Sequence, residues 1–461
     1  MNAVRTEPTG RQGTGGGRLS LSGAIALIVG NVIGTGIFLL PATLAQYGTI
    51  SIVAFLLVTL GAVCLAVVFG RLGRRVPTAG GPYAYARQGF GEFAGFLSAW
   101  SFWITAWAGN AGIAVAWVGY VNYFLHWEST LGKLVIALAG IWVPALVNLT
   151  GVKNVGLFQI VTTVLKFVPL LFIGIVGLFF VRGANFGPFI AGGANPVAAI
   201  SLAGAVLLFI YSGIESVAIA AEKIVDPVRN VGRASVYGTL ACAVVYLLGT
   251  VAVMGNVPHA ALENSEAPFA DAINNMFGGS AWGAVMAVIA IISGIGALNG
   301  WTMLVAEMPM ASARDNLFPR FFTKTNRNGT LWAGILVGSV LTSIVTAASY
   351  FGAENVFESI LLLATFTTVV PYMFSAGAQL FWLVTRQRAI DRTGLGRDVT
   401  VSVVALLFCF WMVYGSGETA VFLGTIMLLV GIPVFVWAKA SRGTYGPSDG
   451  ALERGSDDVP R

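Results

Sequence analysis

Long apolar runs alternate along the chain with short polar or charged breaks such as Gln46-Tyr47-Gly48 and Arg74-Arg75-Val76-Pro77. A helix needs about 20 apolar residues to cross a bilayer. Segments of this kind lie near residues 21–46, 50–70, 93–125, 132–151, 156–181, 197–222, 232–256, 281–312, 332–352, 357–382, 398–416 and 419–438. The pattern predicts an all-α membrane protein with twelve transmembrane helices. The third and eighth segments are long enough to tilt or to extend past the membrane.

The composition of the 461 residues agrees with this pattern. The chain is 56% hydrophobic and only 10% charged, whereas soluble domains carry about 25% charged residues. This excludes a soluble enzyme, a disordered chain and a collagen-like fibre. The three cysteines all lie in apolar runs and the two histidines are far apart, so the sequence predicts no metal site and no cofactor.

The positions of lysine and arginine predict the orientation of the chain. If the amino terminus is placed inside and the segments alternate, 23 of the 26 basic residues fall on the inside. Only Lys133 and Arg182 fall outside, and Lys166 lies in the middle of the fifth segment. Basic residues concentrate in cytoplasmic loops, so we expect both termini in the cytoplasm of a multi-pass protein of the plasma or inner membrane. The net charge of +6 then reflects topology and not nucleic-acid binding.

The sequence divides into five parts. Residues 1–20 and 440–461 are polar and predicted to be disordered cytoplasmic tails, and the first of these lacks the apolar region of a cleavable signal peptide. Residues 21–182 hold the first five spans and residues 197–382 the next five. Because five is odd, a repeat of this unit would begin from the opposite side of the membrane and be inverted. Residues 398–438 form the last two spans.

Two spans carry signs of a break at mid-membrane. The first contains Gly30-Asn31-Val32-Ile33-Gly34-Thr35-Gly36, and the sixth contains Tyr211-Ser212-Gly213-Ile214-Glu215-Ser216. Glycines and an asparagine at this density disfavour a continuous helix. Interrupted spans at corresponding positions of two halves indicate a transporter binding site, although glycines also serve close helix packing.

A helix break of this kind suits one class of ligand. A half-helix that begins at the break exposes N–H groups and attracts a carboxylate, whereas one that ends there exposes carbonyls and attracts an ammonium group. An α-amino acid carries both groups on one carbon. The sequence therefore favours an amino acid as the substrate.

Several motifs in fixed order resemble the amino acid–polyamine–organocation (APC) superfamily, and within it the basic amino acid/polyamine antiporters, the group that includes bacterial arginine/agmatine antiporters. The motifs are Gly30-Asn-Val-Ile-Gly-Thr-Gly-Ile-Phe-Leu-Leu-Pro-Ala42, Gly80-Gly-Pro-Tyr-Ala-Tyr-Ala-Arg87, Trp107-Ala-Gly-Asn110, Gly213-Ile-Glu-Ser216, Asn299-Gly-Trp-Thr302 and Asp315-Asn-Leu-Phe-Pro319. The resemblance implies a LeuT-like fold: a five-plus-five inverted repeat with two extra carboxyl-terminal helices.

The resemblance also implies roles for particular residues. Backbone N–H groups near Thr35 and Gly36 would bind the carboxylate. The carbonyls of Val32, Phe209 and Ser212 would hold the α-ammonium. Trp301 would be an aromatic gate able to stack on a cationic side chain, and Asn110 would contact the far end of the substrate. Gating or coupling roles fall to Phe102, Glu215 and Tyr372.

The side-chain pocket departs from the arginine/agmatine pattern. Thr105 and Ala106 stand where those antiporters have an alanine and a cysteine, Ile113 where they have a methionine, and Ala364 where they have a serine. Phe209 replaces a gate tryptophan and Phe102 a gate tyrosine. These changes leave the recognition of the amino acid backbone intact but alter the pocket for its side chain.

The sequence favours a secondary transporter of amino acids, because it contains no nucleotide-binding or zinc-protease motif. An intramembrane enzyme and a membrane amino-acid sensor are the rivals. Within transport, a sodium-independent exchanger of cationic amino acids or their amines competes with a proton-coupled symporter of neutral or varied amino acids. Asn110 and Trp301 favour exchange, whereas Lys166 and the altered pocket favour proton coupling, because burial disfavours the charged form of a lysine. A lysine in lipid is also costly. Lys166 would face the interior near the first break, exchanging a proton or standing in for a sodium ion. The resemblance also allows a homodimer.

Overall fold

The computed structural model describes residues 19–76, 80–150, 155–193, 195–221, 224–352, 355–385 and 392–443. Within these ranges the chain is helical apart from turns, loops and one isolated parallel bridge between Leu19 and Ile224. The α-helices are α1 (Leu21–Val32), α2 (Leu40–Ala45), α3 (Ile50–Arg75), α4 (Pro82–Phe90), α5 (Glu92–Leu125), α6 (Thr130–Leu149), α7 (Val155–Val176), α8 (Pro196–Ile210), α9 (Ser216–Ile219), α10 (Pro227–Asn256), α11 (His259–Leu262), α12 (Pro268–Phe277), α13 (Ala281–Arg314), α14 (Trp332–Gly352), α15 (Val356–Thr385), α16 (Arg392–Gly415) and α17 (Gly417–Ala440).

Helix length and composition confirm an all-helical membrane protein. In the described part of the chain, nine helices are long and apolar enough to cross a bilayer. Three shorter apolar helices, Leu21–Val32, Val164–Phe180 and Pro196–Ile210, coincide with the predicted first, fifth and sixth segments. The first and sixth segments are short because each stops at its predicted break.

The two longest helices form the centre of the bundle. Helices α5 and α13 each contain 34 residues, or about 50 Å at 1.5 Å per residue, so they extend beyond the hydrocarbon layer of roughly 30 Å. This agrees with the predicted length of the third and eighth segments. Helix α5 is buried along most of its length and packs against α13 and α15. The candidate site therefore lies beside a helix that lipid does not reach.

The outer surface is apolar, as a bilayer requires. Large side chains such as Leu60, Leu131, Val197, Leu407 and Phe422 are at least 60% exposed. Many serine and threonine hydroxyls bond within the bundle, often by donating to the carbonyl one helical turn earlier, as the buried Thr239 does to Ser235 at 2.7 Å. This arrangement keeps polar groups away from lipid, where an unpaired group is costly.

The described structure extends into both predicted tails. Ser20 caps α1 by accepting the N–H of Gly23 at 3.3 Å, and Leu19 O accepts the N–H of Val225 at 2.9 Å. At the other end, the guanidinium of Arg442 donates to the carbonyl of Phe318 at 2.9 Å. Residues 19–20 and 440–443 thus belong to the folded part. The remaining tail residues, 1–18 and 444–461, lie outside the described ranges.

Candidate functional site

Both predicted helix breaks are present, and they touch each other. The first span ends as α1 at Val32 and resumes as a 3₁₀ turn over Thr35–Phe38, which leads into α2. The sixth span ends as α8 at Ile210 and resumes at α9. Gly213, in the second break, has φ +113°, and a Cβ there would lie 3.1 Å from the carbonyl carbon of Asn31. Only glycine allows this backbone shape and this approach.

A cavity of about 290 Å³, its mouth included, lies against the two breaks. Its wall combines both interrupted spans with single side chains from α5, α10 and α13. Six of the predicted substrate-binding residues line it: Val32, Gly36, Ile113, Phe209, Ser212 and Trp301. Five further residues line it that the sequence did not single out: Asn31, Gly34, Ile37, Ile210 and Tyr246.

The backbone at the breaks offers N–H groups and carbonyls of opposite polarity. The first N–H groups of a helical turn have no partner within it. In this 3₁₀ turn, where each N–H bonds the carbonyl three residues earlier, they include those of Thr35 and Gly36. The carbonyl of Val32 is already occupied, because the hydroxyl of Tyr246 donates to it at 2.7 Å and the N–H of Gly34 at 2.8 Å. Both lone pairs of that oxygen are used, so it is not free for an ammonium group in this conformation.

The second break offers freer acceptors. The carbonyl of Phe209 accepts the N–H of Ser212 at 3.0 Å and only shares the N–H of Tyr211 with the carbonyl of Leu208, whereas a carbonyl oxygen can accept two full bonds. The side chain of Ser212 is 2% exposed, and its hydroxyl has no partner among the described residues although it lines the cavity. A buried hydroxyl without a partner is costly. A polar ligand in the cavity would supply the missing hydrogen bond.

Glu215 stabilises the second break from behind. Its carboxylate accepts the N–H of Gly213 at 3.1 Å and the hydroxyl of Tyr372 at 2.7 Å, and it is 1% exposed. Tyr372 belongs to α15, so this pair ties the sixth span to the tenth predicted span. Both residues carry the predicted coupling role, and the structure places them in direct contact but outside the cavity wall.

Four predicted pocket residues do not line the cavity. The hydroxyl of Thr105 shares a hydrogen bond with that of Thr367 at 2.9 Å. Ala106 and Ala364 are fully buried in the helix core. The amide of Asn110 donates to the hydroxyl of Thr302 at 3.3 Å, while its Oδ1 has no partner among the described residues. Asn110 thus bonds a neighbouring helix but keeps one acceptor unused.

Phe102 and Lys166 lie elsewhere in the bundle. Phe102 is 4% exposed on α5. Lys166 is 1% exposed, whereas Val164 and Val168 on the opposite face of α7 are 54% and 57% exposed. The lysine therefore points into the protein and not into lipid, as a buried charge in a membrane must.

The five additional lining residues differ in whether a local pattern in the sequence marks them. Asn31 and Gly34 belong to the first predicted break. Ile37 directly follows that break, and Ile210 directly precedes the second. Tyr246 is different, because it comes from α10, 214 residues away from the Val32 carbonyl that it binds. No local pattern in the sequence marks it, since only the packing of α10 against α1 brings its hydroxyl to the break.

Polar side-chain contacts join the helices on both sides of the cavity. On the predicted outer side, the hydroxyl of Tyr47 donates to Glu358 at the start of α15. On the predicted inner side, the hydroxyl of Tyr83 donates to Asp315 at 2.6 Å, and Arg87 pairs with the same carboxylate at 3.0 Å. Burial and then the bond to Asp315 raise the pKa of Tyr83 well above its ordinary value, so this phenol remains a donor.

Comparison with known proteins agrees with this geometry. The family model for amino acid permeases matches residues 19–438. The arginine/ornithine antiporter of Pseudomonas aeruginosa is 30% identical over 445 residues, which cover 92% of each chain. The putrescine transporter PotE of Haemophilus influenzae is 29% identical over 87% of this chain and 92% of its own. The arginine/agmatine antiporter of Chlamydia pneumoniae is 28% identical over 91% and 89%.

The match covers all described helices, including both breaks. It confirms the resemblance stated above, and with it a multi-pass membrane protein of the plasma or inner membrane. The family and the named relatives are transporters, and neither intramembrane enzymes nor soluble proteins. The chain belongs to the amino acid permease family.

Proposed function

We propose that this permease exchanges cationic amino acids or their amines across the membrane by alternating access, without sodium. The named relatives are antiporters or transporters of arginine, ornithine, agmatine or putrescine. They match nearly the whole chain, so the proposal rests on the complete fold and not on one motif.

The proposed architecture has twelve spans, with the first ten forming two inverted five-helix units. Helix lengths support this pairing. The third and eighth spans are both 34 residues long, and the fourth and ninth are 20 and 21. The first and sixth spans are both interrupted. A short helix precedes the long one in each unit, α4 in the first and α12 in the second.

The contact between the two breaks is the observation that carries the proposal. The N–H groups of Thr35 and Gly36 would bind the substrate carboxylate. The carbonyl of Phe209 and the groups of Ser212 would bind its ammonium. An amine such as putrescine lacks the carboxylate and would use only the second set. One short stretch of each interrupted span thus recognises the part that all amino acid substrates share.

Aromatic faces would recognise the cationic side chain. Phe209 and Trp301 both line the cavity, and both lie within 4 Å of the Cβ position of Gly109. No carboxylate is among the lining residues in the described part of the chain. A cation would therefore be held by the π-faces of these rings, an interaction worth about 2 kcal/mol when desolvated.

Proton-coupled uptake of neutral amino acids is the second candidate, and two observations favour it. The lining is largely apolar, with Ile37, Ile113 and Ile210 in its wall. Lys166 is buried in α7, where it could exchange a proton or act as a fixed cation between the first and fifth spans. The cavity is formed by one chain alone, so neither candidate requires a dimer.

Exchange in proteoliposomes tests the proposal. Vesicles of purified protein are loaded with arginine, ornithine, agmatine, putrescine or alanine, and uptake of labelled arginine is measured with and without sodium. We expect uptake only with an internal cationic substrate and no effect of sodium. Uptake into empty vesicles driven by an inward proton gradient, with alanine as the better substrate, would favour the second candidate instead.

Gly36→Val locates the site within the same assay. A Cβ at Gly36 would lie 3.5 Å from Phe209 Cε1, so the fold has room for it, but valine methyls would occupy the carboxylate position. We expect membrane insertion without exchange. Gly249→Ala is a control for adding a side chain at a buried glycine, because its Cβ would lie 3.6 Å from Phe269 and Gly249 does not line the cavity. Normal exchange by inserted Gly36→Val would contradict the site assignment.

A further inference from the structure

A second cavity lies apart from the substrate site, on the predicted cytoplasmic side. It measures about 660 Å³, its mouth included, and sits between the inner parts of α3, α10 and α16. Four arginines line it: Arg71, Arg74, Arg233 and Arg397. The charge alone would be ordinary for a cytoplasmic helix end, but four guanidinium groups around one cavity are not explained by topology.

The cavity has more positive charge than its protein partners neutralise. Asp398 pairs with Arg71 at 2.9 Å and with Arg397 at 3.6 Å. It provides one negative charge for four positive ones. The Nη1 atom of Arg71 is buried and has no hydrogen-bond partner among the described residues, and neither has Oδ1 of Asp398, which lies 2.9 Å from Nη2 of the same arginine. Leaving a buried charged donor unpaired is costly, so the site fits an anion that accepts several hydrogen bonds.

A glycine contact shapes this cavity. A Cβ at Gly70 would overlap the Cα of Gly232, so α3 and α10 touch backbone to backbone at this point. Arg74 lies one helical turn to the cytoplasmic side of the contact, Arg233 directly follows Gly232 at the contact itself, and a Cβ at Gly232 would lie 3.5 Å from Arg74 Nη2. Helix α3 also packs against α16. The arginines of three helices are thereby brought to one depth at the membrane boundary.

The cavity continues into a lipid-facing surface. Tyr237 lines it and is 54% exposed, one turn beyond Arg233. Leu240 and Val244 follow at helical spacing on α10 and are 41% and 54% exposed. Tyrosine prefers the membrane–water boundary, and leucine and valine face the acyl chains. A ligand here meets arginines at one end and an apolar stripe at the other.

We propose that this cavity binds the phosphate of an anionic phospholipid from the cytoplasmic leaflet, with the acyl chains along Tyr237, Leu240 and Val244. Arginine pairs with phosphate through several hydrogen bonds at once, and basic pockets between transmembrane helices on this side suit such headgroups. The proposal concerns a surface separate from the substrate site, so it stands whichever substrate the permease carries.

Thermal unfolding of the detergent-purified protein tests it. Phosphatidylglycerol, phosphatidylcholine and inorganic phosphate are titrated separately, and the midpoint of unfolding is followed. We expect a saturable rise with phosphatidylglycerol and little change with the other two. The double variant Arg74→Gln/Arg233→Gln should bind phosphatidylglycerol about 30-fold more weakly, because each basic residue near a membrane contributes about 1 kcal/mol and 1.4 kcal/mol is tenfold.

A charge-matched variant is the control. Arg320→Gln/Lys324→Gln removes two exposed basic residues on the same predicted side without touching the cavity, and it should bind phosphatidylglycerol as the wild type does. Equal stabilisation by phosphatidylcholine would overturn headgroup recognition, and equal stabilisation by inorganic phosphate would show a simple ion site. Unchanged binding by Arg74→Gln/Arg233→Gln, or equal loss in the control, would overturn the site.

Discussion

Gly213→Ala tests whether contact between the two helix breaks is what makes the substrate site. With φ at +113°, an alanine at this position would be strained by about 1–3 kcal/mol. Its Cβ would also lie 3.1 Å from the carbonyl carbon of Asn31 and 3.2 Å from the nitrogen of Val32. These neighbours are backbone atoms, so no rotamer change relieves the crowding. The second break must move away from the first.

The size of the effect follows from these contacts. If about 2 kcal/mol of strain is released by separating the breaks, binding that requires them together weakens about 30-fold. We expect kcat/KM for exchange in proteoliposomes to fall by at least that factor, with a lower unfolding midpoint in detergent. The separation would pull the N–H group of Gly36 away from Ser212, so substrates with both charged groups should lose more than diamines.

Gly249→Ala again provides the comparison, because it adds the same methyl group to a buried glycine with ordinary contacts. It should retain normal exchange and stability. Exchange by Gly213→Ala within twofold of the wild type would refute the reasoning, since it would show that the breaks can separate without cost to transport. A Gly213→Ala protein that still folds and inserts into the membrane but has lost exchange would support it most directly.

Three other substitutions probe the surroundings of the site. Trp301→Leu should weaken arginine about tenfold in a competition assay and alanine less, because a desolvated cation–π contact contributes about 1–2 kcal/mol; equal losses would make Trp301 a packing element. Tyr372→Phe removes one of two donors to buried Glu215 and should lower the free energy of unfolding by about 1–3 kcal/mol, measured by thermal or denaturant unfolding; an unchanged stability would show that the carboxylate finds another donor. Lys166→Ala should impair transport, and it should abolish accumulation driven by an inward proton gradient if Lys166 carries the proton. A wild type that responds only to internal substrate would leave exchange as the mechanism.

Strong local signals in the sequence were sufficient for the membrane class, the helix breaks and the burial of Lys166. Apolar segments of membrane-spanning length have few alternatives, because a bilayer requires backbone polar groups to be satisfied within a helix. Gly34 and Gly36 lie where the first span is interrupted, because glycine favours other conformations in that setting, whereas Gly30 remains inside α1. A lysine in lipid costs too much, so Lys166 had to face inward, as it does.

The makeup of the cavity wall depended on how each helix is rotated and where it packs. Asn110 and Ile113 are three residues apart on α5, yet Ile113 lines the cavity and Asn110 bonds Thr302. Successive residues turn by about 100° around a helix, so a small rotation decides which of two neighbours faces a ligand. Tyr246 joined the wall only through the packing of α10 against α1.

The arginine-lined cavity also separates what the sequence determined from what tertiary packing decided. The sequence marked Arg71 and Arg74 as anchors at the cytoplasmic end of a span, and Arg233 and Arg397 as two more such residues in distant segments. Each position follows from the preference of basic residues for that side of the membrane. Their assembly around one cavity required the close crossing of α3 and α10 at Gly70 and the packing of α16 on α3. Charge placement is a local property of the sequence, whereas charge clustering is a property of tertiary packing.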